Sequence, residues 1–158
     1  MLPVVVAAVL VAAAITVVFV VFQPQRRFYD TTVREPPPAT VVGRDAARVR
    51  SGAFRGLAHQ ASGRAVLLPL TDGSRVLRLE DLDVDNGPDL HLYLATARAD
   101  GRASAFARDR VDLGRLRGNR GDQNYPVPAG VDTGALRSAV IWCPRFSVGW
   151  AVAPLPSP

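Results

Sequence analysis

Residues 64–82 read "RAVLLPLTDGSRVLRLEDL": two runs of aliphatic residues flanking Thr71, Asp72, Gly73 and Ser74. Such runs around an Asp-Gly pair form a β-hairpin, because Asp72 and Gly73 can take the positive φ angles of a tight type I′ turn. The reading extends downstream. In "DLHLYLA" (89–95), Leu90, Leu92 and Leu94 face one way while His91 and Tyr93 face the other, the period of a strand. "NGPD" (86–89) is a turn, and "QNYPVP" (123–128) and "ALRSAVIWC" (135–143) are further strand candidates. No long amphipathic pattern interrupts them. The expected fold class is all-β: an antiparallel β-sandwich of about seven or eight strands over residues 51–155, with a loose tail at 156–158.

The sequence before this domain has a different texture. From Val4 to Phe22 it reads "VVVAAVLVAAAITVVFVVF", where Thr16 is the only polar side chain. At about 1.5 Å per residue, nineteen helical residues just cross a hydrocarbon core of about 30 Å. A cleaved signal peptide would carry a basic stretch first and a small-residue cleavage site after, and "VFQPQRR" follows here. Residues 1–22 are therefore expected to be one transmembrane helix serving as an anchor. Residues 23–50 are expected to be a flexible linker, with Pro36, Pro37 and Pro38 favouring an extended spacer. Arg26, Arg27 and Arg34 just after the span would, by the positive-inside rule, place the domain in the cytoplasm.

Net charge is +5, from nineteen arginines, no lysine and fourteen acids. No basic cluster with interleaved aromatics accompanies it, so a solvated surface is expected and no nucleic-acid partner. Several chemistries lack their residues. "EDLDVDNGPD" (80–89) starts like a calcium loop at Asp81, but Asn86 and Leu92 stand where the glycine and the bidentate Glu are needed. The loop "GNRGD" (118–122) has no P-loop ending. A G-x-S-x-G elbow, an H-E-x-x-H pair and a C-x-x-C pair are all missing, which removes the common hydrolase and zinc-protease readings.

His59, His91 and Cys143 remain. Two imidazoles and a thiolate suit copper or haem iron, although both histidines precede the cysteine and the only methionine is Met1. The rival reading makes Cys143 a small core hydrophobe on the face of Ile141, with a raised pKa and an inert thiol. Outside the cell, an unpaired cysteine is instead a reactive thiol or an intermolecular partner, and Pro144 beside it suggests a bulge or strand end.

The order of motifs resembles the DM-thirteen domain, the small "electron transfer" domain found beside DOMON domains in cell-surface proteins. "NGPDLHLYL", "GNRGDQNYPVP" and "IWCPRF" carry the resemblance, which runs from about Gly52 to Leu155. It implies an all-β extracytoplasmic domain whose single cysteine works in redox chemistry, as a bare thiol or as ligand to a prosthetic group such as haem. That role falls on Cys143. Asn86 to Asp89, His91, Gly118, Asn119 and Gly121 to Tyr125 fall on the other motif positions, where loop shaping is expected. Pro144 departs from a position more often polar, and no DOMON or cytochrome segment follows, so an electron partner would be another protein.

The resemblance reverses the sidedness that the arginines suggest. The leading expectation is a single-pass protein of the cell membrane, its domain extracytoplasmic, acting in redox or electron transfer through Cys143. His91 or His59 would be a second ligand if haem or copper is bound. It is expected to work with a redox or cell-surface protein partner and not to be an enzyme by itself. The alternative is a cell-surface binding module whose loops 83–89 and 117–124 recognise a glycan or a protein, with Cys143 in the core.

Overall fold

A computed structural model describes residues 2–21, 29–39 and 49–157. Helix α1 spans Leu2–Val21. The strands are β1 (Thr32–Arg34), β2 (Arg50–Ala53), β3 (Arg55–Gly56), β4 (Ala61–Pro69), β5 (Arg75–Val84), β6 (His91–Ala95), β7 (Arg110–Arg115), β8 (Arg120–Pro126), β9 (Ser138–Cys143) and β10 (Val148–Pro154). They form two five-stranded sheets, ordered β1-β8-β5-β4-β2 and β3-β10-β9-β6-β7. Pairing is antiparallel throughout except that β1 runs parallel to β8. The chain is thus mostly β, with two sheets arranged like a sandwich.

The expected hairpin is β4–β5, but its turn differs in type. Gly73 has φ 84°, whereas Asp72 is not in the left-handed region. The Gly73 N–H donates to Leu70 O at 3.0 Å and the Leu70 N–H to Ser74 O at 2.9 Å, closing a three-residue loop. Asp72 Oδ1 accepts from both the N–H (2.9 Å) and the hydroxyl (2.6 Å) of Ser74, which favours this loop over the two-residue turn.

The inter-sheet core is built from one face of each strand. Leu77 and Leu79 point inward, the ladder slips between Leu79 and Leu82, and Asp81 takes φ 48°. That bulge restores the phase, so Leu82 and Val84 return to the core instead of facing solvent. Leu90, Leu92 and Leu94 meet them from the other sheet, and Tyr93 points outward as expected from the alternation. A smaller apolar cluster covers that outer face: Phe106, from the 3-10 turn Ala103–Ala107, packs with Tyr93, Val140 and Trp142. Strand β9 is consequently buried on both faces.

One expectation about the amino-terminal third needs correction. The flexible linker expected over 23–50 is interrupted, because Thr32–Arg34 docks as β1 on the domain; residues 22–28 and 40–48 lie outside the described ones. The helix expected near the start is present, and its described side chains are all exposed. Among the described residues, however, no helix is long and apolar enough to cross a membrane.

Candidate functional site

Cys143 closes β9 and pairs with Val148 across a four-residue connection, 144–147. The sulfur is free, and the residue has 0% exposure. It belongs to the inter-sheet core together with Ile141, Val148 and Trp150. The turn beside it is on the surface: Phe146 is more than half exposed, the Ser147 N–H donates to Pro144 O at 3.2 Å, and Ser147 sits at φ 53°, a conformation that disfavours a side chain.

His91 pairs directly with Trp142 on the adjacent strand. Directly paired residues share a sheet face, and Trp142 and Cys143 are neighbours in a strand, so His91 lies on the opposite face from the thiol. Its ring is held by carboxylates: Nδ1 is 3.2 Å from Asp112 Oδ2, and Nε2 is 3.5 Å from Asp89 Oδ1. His59 stacks on Trp150, with its Nδ1 3.5 Å from Asp85 Oδ2. The three sequence candidates are therefore not brought together. Among the described residues no group of three His, Cys, Asp or Glu side chains converges on a point that could hold a metal, and Cys143 lines none of the main clefts. A copper or haem held jointly by Cys143 and His91 does not fit this arrangement, because the two side chains lie on opposite faces of the sheet. Nor do the acids of the 80–89 stretch gather: Asp83 pairs with Arg120, while Asp85 serves His59 and the Gln60 N–H.

The motif loops do come together. Asn86, Gly87 and Leu90 face Gly118 and Asn119 across a cleft of about 340 Å³, whose rim includes Tyr29. Asn119, 4% exposed, spends its side chain on the strand that enters there: Oδ1 accepts the Thr31 N–H at 2.7 Å and Nδ2 donates to Asp30 Oδ1 at 2.8 Å. Gln123, fully buried, braces the loop by donating to Gly118 O at 2.8 Å and accepting the Arg117 N–H at 3.2 Å. Below it, Tyr125 donates its hydroxyl to Gln123 Oε1 at 2.8 Å and accepts the Arg117 N–H at 3.0 Å. Burial pushes the Tyr125 pKa up, with Glu35 adding to the shift and Arg117 opposing it.

A family model described as Electron transfer DM13 matches residues 53–155, the whole of the sandwich beyond β1 and the start of β2. The chain belongs to the Electron transfer DM13 family. The match encloses Cys143 and both motif loops, and agrees with the extent expected from the three motifs. No curated protein and no solved structure matches the chain. Membership in the Electron transfer DM13 family indicates an electron-transfer-related function.

Residues that sequence reading missed cluster around β1. Asp30 and Glu35 lie in what reads as a linker, and Arg78 reads as one more exposed strand arginine. Arg78 is in fact 4% exposed and donates to Asp122 Oδ2 at 2.7 Å, Asn124 Oδ1 at 3.0 Å and Glu35 O at 3.2 Å. The available signal was its alternation. Arg78 lies between Leu77 and Leu79, hence on the outer face, but nothing local says that Glu35, Asp122 and Asn124 gather around its guanidinium.

Proposed function

We propose that this protein is an electron-transfer-related module held at a membrane by α1, its domain extracytoplasmic, with Cys143 as a redox thiol that serves a protein partner. Family membership supports the electron-transfer reading. The anchor is supported by an apolar helix whose described side chains are exposed, and which therefore gains from an apolar medium. Its one hydroxyl, on Thr16, donates to Ala12 O at 2.9 Å, so it would carry no unsatisfied polar side chain into lipid. A reporter fused after residue 158 tests sidedness. Activity confined to the cytoplasmic side overturns the extracytoplasmic placement.

The observation that carries the thiol role is the position of Cys143, the last residue of β9 beside a surface turn with Ser147 in a disfavoured conformation. Opening residues 144–147 would free the sulfur without separating the sheets. The chemistry is thiol–disulfide exchange. Cys143 gives its proton to solvent, its thiolate attacks one sulfur of a partner protein's disulfide, the new S–S bond forms, and the other partner sulfur leaves as thiolate.

A second reading is favoured by the 0% exposure of Cys143 and by the shared cleft of the two motif loops: a binding module with the cysteine in its core. Labelling the native full chain in detergent micelles with a soluble aromatic disulfide separates the two. Reaction well below the denaturant concentration that unfolds the sheets supports exchange at Cys143. Reaction only with global unfolding overturns it in favour of the binding module.

A further inference from the structure

The segment 29–36 behaves as a ligand of the domain that follows it. It lies outside the family-matched residues, yet it fills an edge of the sheet as a parallel strand: Thr32, Val33 and Arg34 pair with Arg120, Gly121 and Asp122. The acceptor edge is shaped for it. A Cβ at Gly121 would overlap the Val33 carbonyl and one at Gly118 the Thr31 carbonyl, so both positions must lack a side chain for the backbone to approach. Gly121 also takes φ 88°.

The recognition is polar and has two ends. At the first, Asp30 receives Arg120 Nη1 at 2.9 Å and Asn119 Nδ2 at 2.8 Å. At the other, Glu35 receives the Asn124 N–H at 2.7 Å and pairs with Arg117, while its own N–H donates to Asp122 O at 3.0 Å. Pro36, which has no N–H to continue a ladder, ends the strand, and its carbonyl accepts from Asn124 Nδ2 at 2.9 Å. Only Val33 contributes apolar burial, and it is half-buried. A contact made of ladder hydrogen bonds and partly exposed ion pairs is specific without being tight, the character of strand addition to a sheet edge.

We propose that the edge of β8 is a peptide-binding site for an extended strand with a carboxylate at each end, spaced as in Asp30 and Glu35, and that segment 29–36 is its resident ligand. The motif residues Gly118, Asn119, Gly121, Asp122 and Asn124 then have a common purpose, which is recognition of that strand. This site is independent of Cys143 and of its chemistry.

The test uses the full chain in detergent micelles and a fluorescein-labelled peptide of residues 29–39, YDTTVREPPPA, followed by anisotropy. In the unaltered chain the site is filled, so binding is weak or absent. The Asp30→Arg/Glu35→Arg chain sets like charge against Arg117 and Arg120, empties the edge and gains saturable binding. Adding Gly121→Val to that chain abolishes it. Absence of binding to the emptied chain, or equal binding with and without Gly121→Val, overturns the proposal. If the double variant does not fold, amide exchange in the unaltered chain decides. Thr31 and Glu35 N–H groups as protected as those of the edge strand β2 support the site, and exchange at the rate of an unstructured peptide overturns it.

Discussion

His59 lies flat on Trp150, with ring centroids 3.5 Å apart and planes inclined by 15°. The indole N–H donates to Asp85 O at 2.8 Å, and His59 Nδ1 lies 3.5 Å from the carboxylate of the same residue. One aspartate thus fixes both rings, and the stack shields an indole that is 4% exposed. His59→Ala is expected to red-shift tryptophan emission and to cost about 1 kcal/mol in denaturant unfolding, the scale of a ring pair. Unchanged emission would mean that the imidazole does not cover Trp150 in solution.

The turn after Cys143 gives a second prediction. Ser147 at φ 53° pays a steric cost of about 1 kcal/mol that glycine does not, partly offset by glycine's greater freedom when unfolded. Ser147→Gly should therefore stabilise the hairpin by a few tenths of a kcal/mol up to about 1 kcal/mol. If this turn is the gate to the sulfur, labelling of Cys143 slows by up to about fivefold, because opening is rarer. A faster or unchanged labelling rate, with the melting midpoint raised, would remove the turn from any role in access.

These two sites mark what the sequence makes legible. The faces of Leu90, His91, Leu92, Tyr93 and Leu94 are readable because side chains alternate strictly in a strand, and the extent of the domain follows from three ordered motifs. That His91 and Cys143 lie on opposite faces is not readable, because it depends on the register of β6 against β9, which no local pattern specifies. Strand β1 is hidden for a related reason. Three residues are too short to show a period, the prolines after it read as spacer, and the groups that hold it are distant in sequence, such as Asn119 for Asp30. Bulges at Asp81 and between Ser62 and Arg64 further shift the phase that a simple alternation assumes.

Arg50 provides a stability test away from either site. It is 5% exposed, and its guanidinium donates to Leu136 O at 2.9 Å and Thr133 O at 2.6 Å, tying β2 to the loop before β9. Burial lowers its pKa, with Arg137 and Arg75 adding to the shift, so part of the benefit of these bonds is offset by desolvation. Arg50→Ala removes a charged donor from both carbonyls, and each keeps a second one: Thr133 O the Leu136 N–H at 3.3 Å, and Leu136 O the Arg137 guanidinium. The expected loss is about 2 kcal/mol, measured by urea unfolding with an unchanged slope. A loss near zero would show that desolvation cancels the fork entirely.

The alkaline limb of stability should report on Tyr125. Burial raises its pKa, and Tyr93 shifts the same way, first through burial and then through the nearby Asp112 carboxylate. A raised folded-state pKa contributes stability that is fully present below the unfolded value of about 10, and is lost as pH rises through the folded value. Lysine does not contribute in this window, because the chain has none, and arginine stays charged. The unfolding midpoint should hold from about pH 7 to about pH 9 and fall above about pH 10. Tyr125→Phe removes one phenol, costs about 1 kcal/mol at neutral pH through the lost Gln123 and Arg117 bonds, and should fall less steeply in alkali. An equally steep alkaline loss in that variant would assign the limb to groups other than Tyr125.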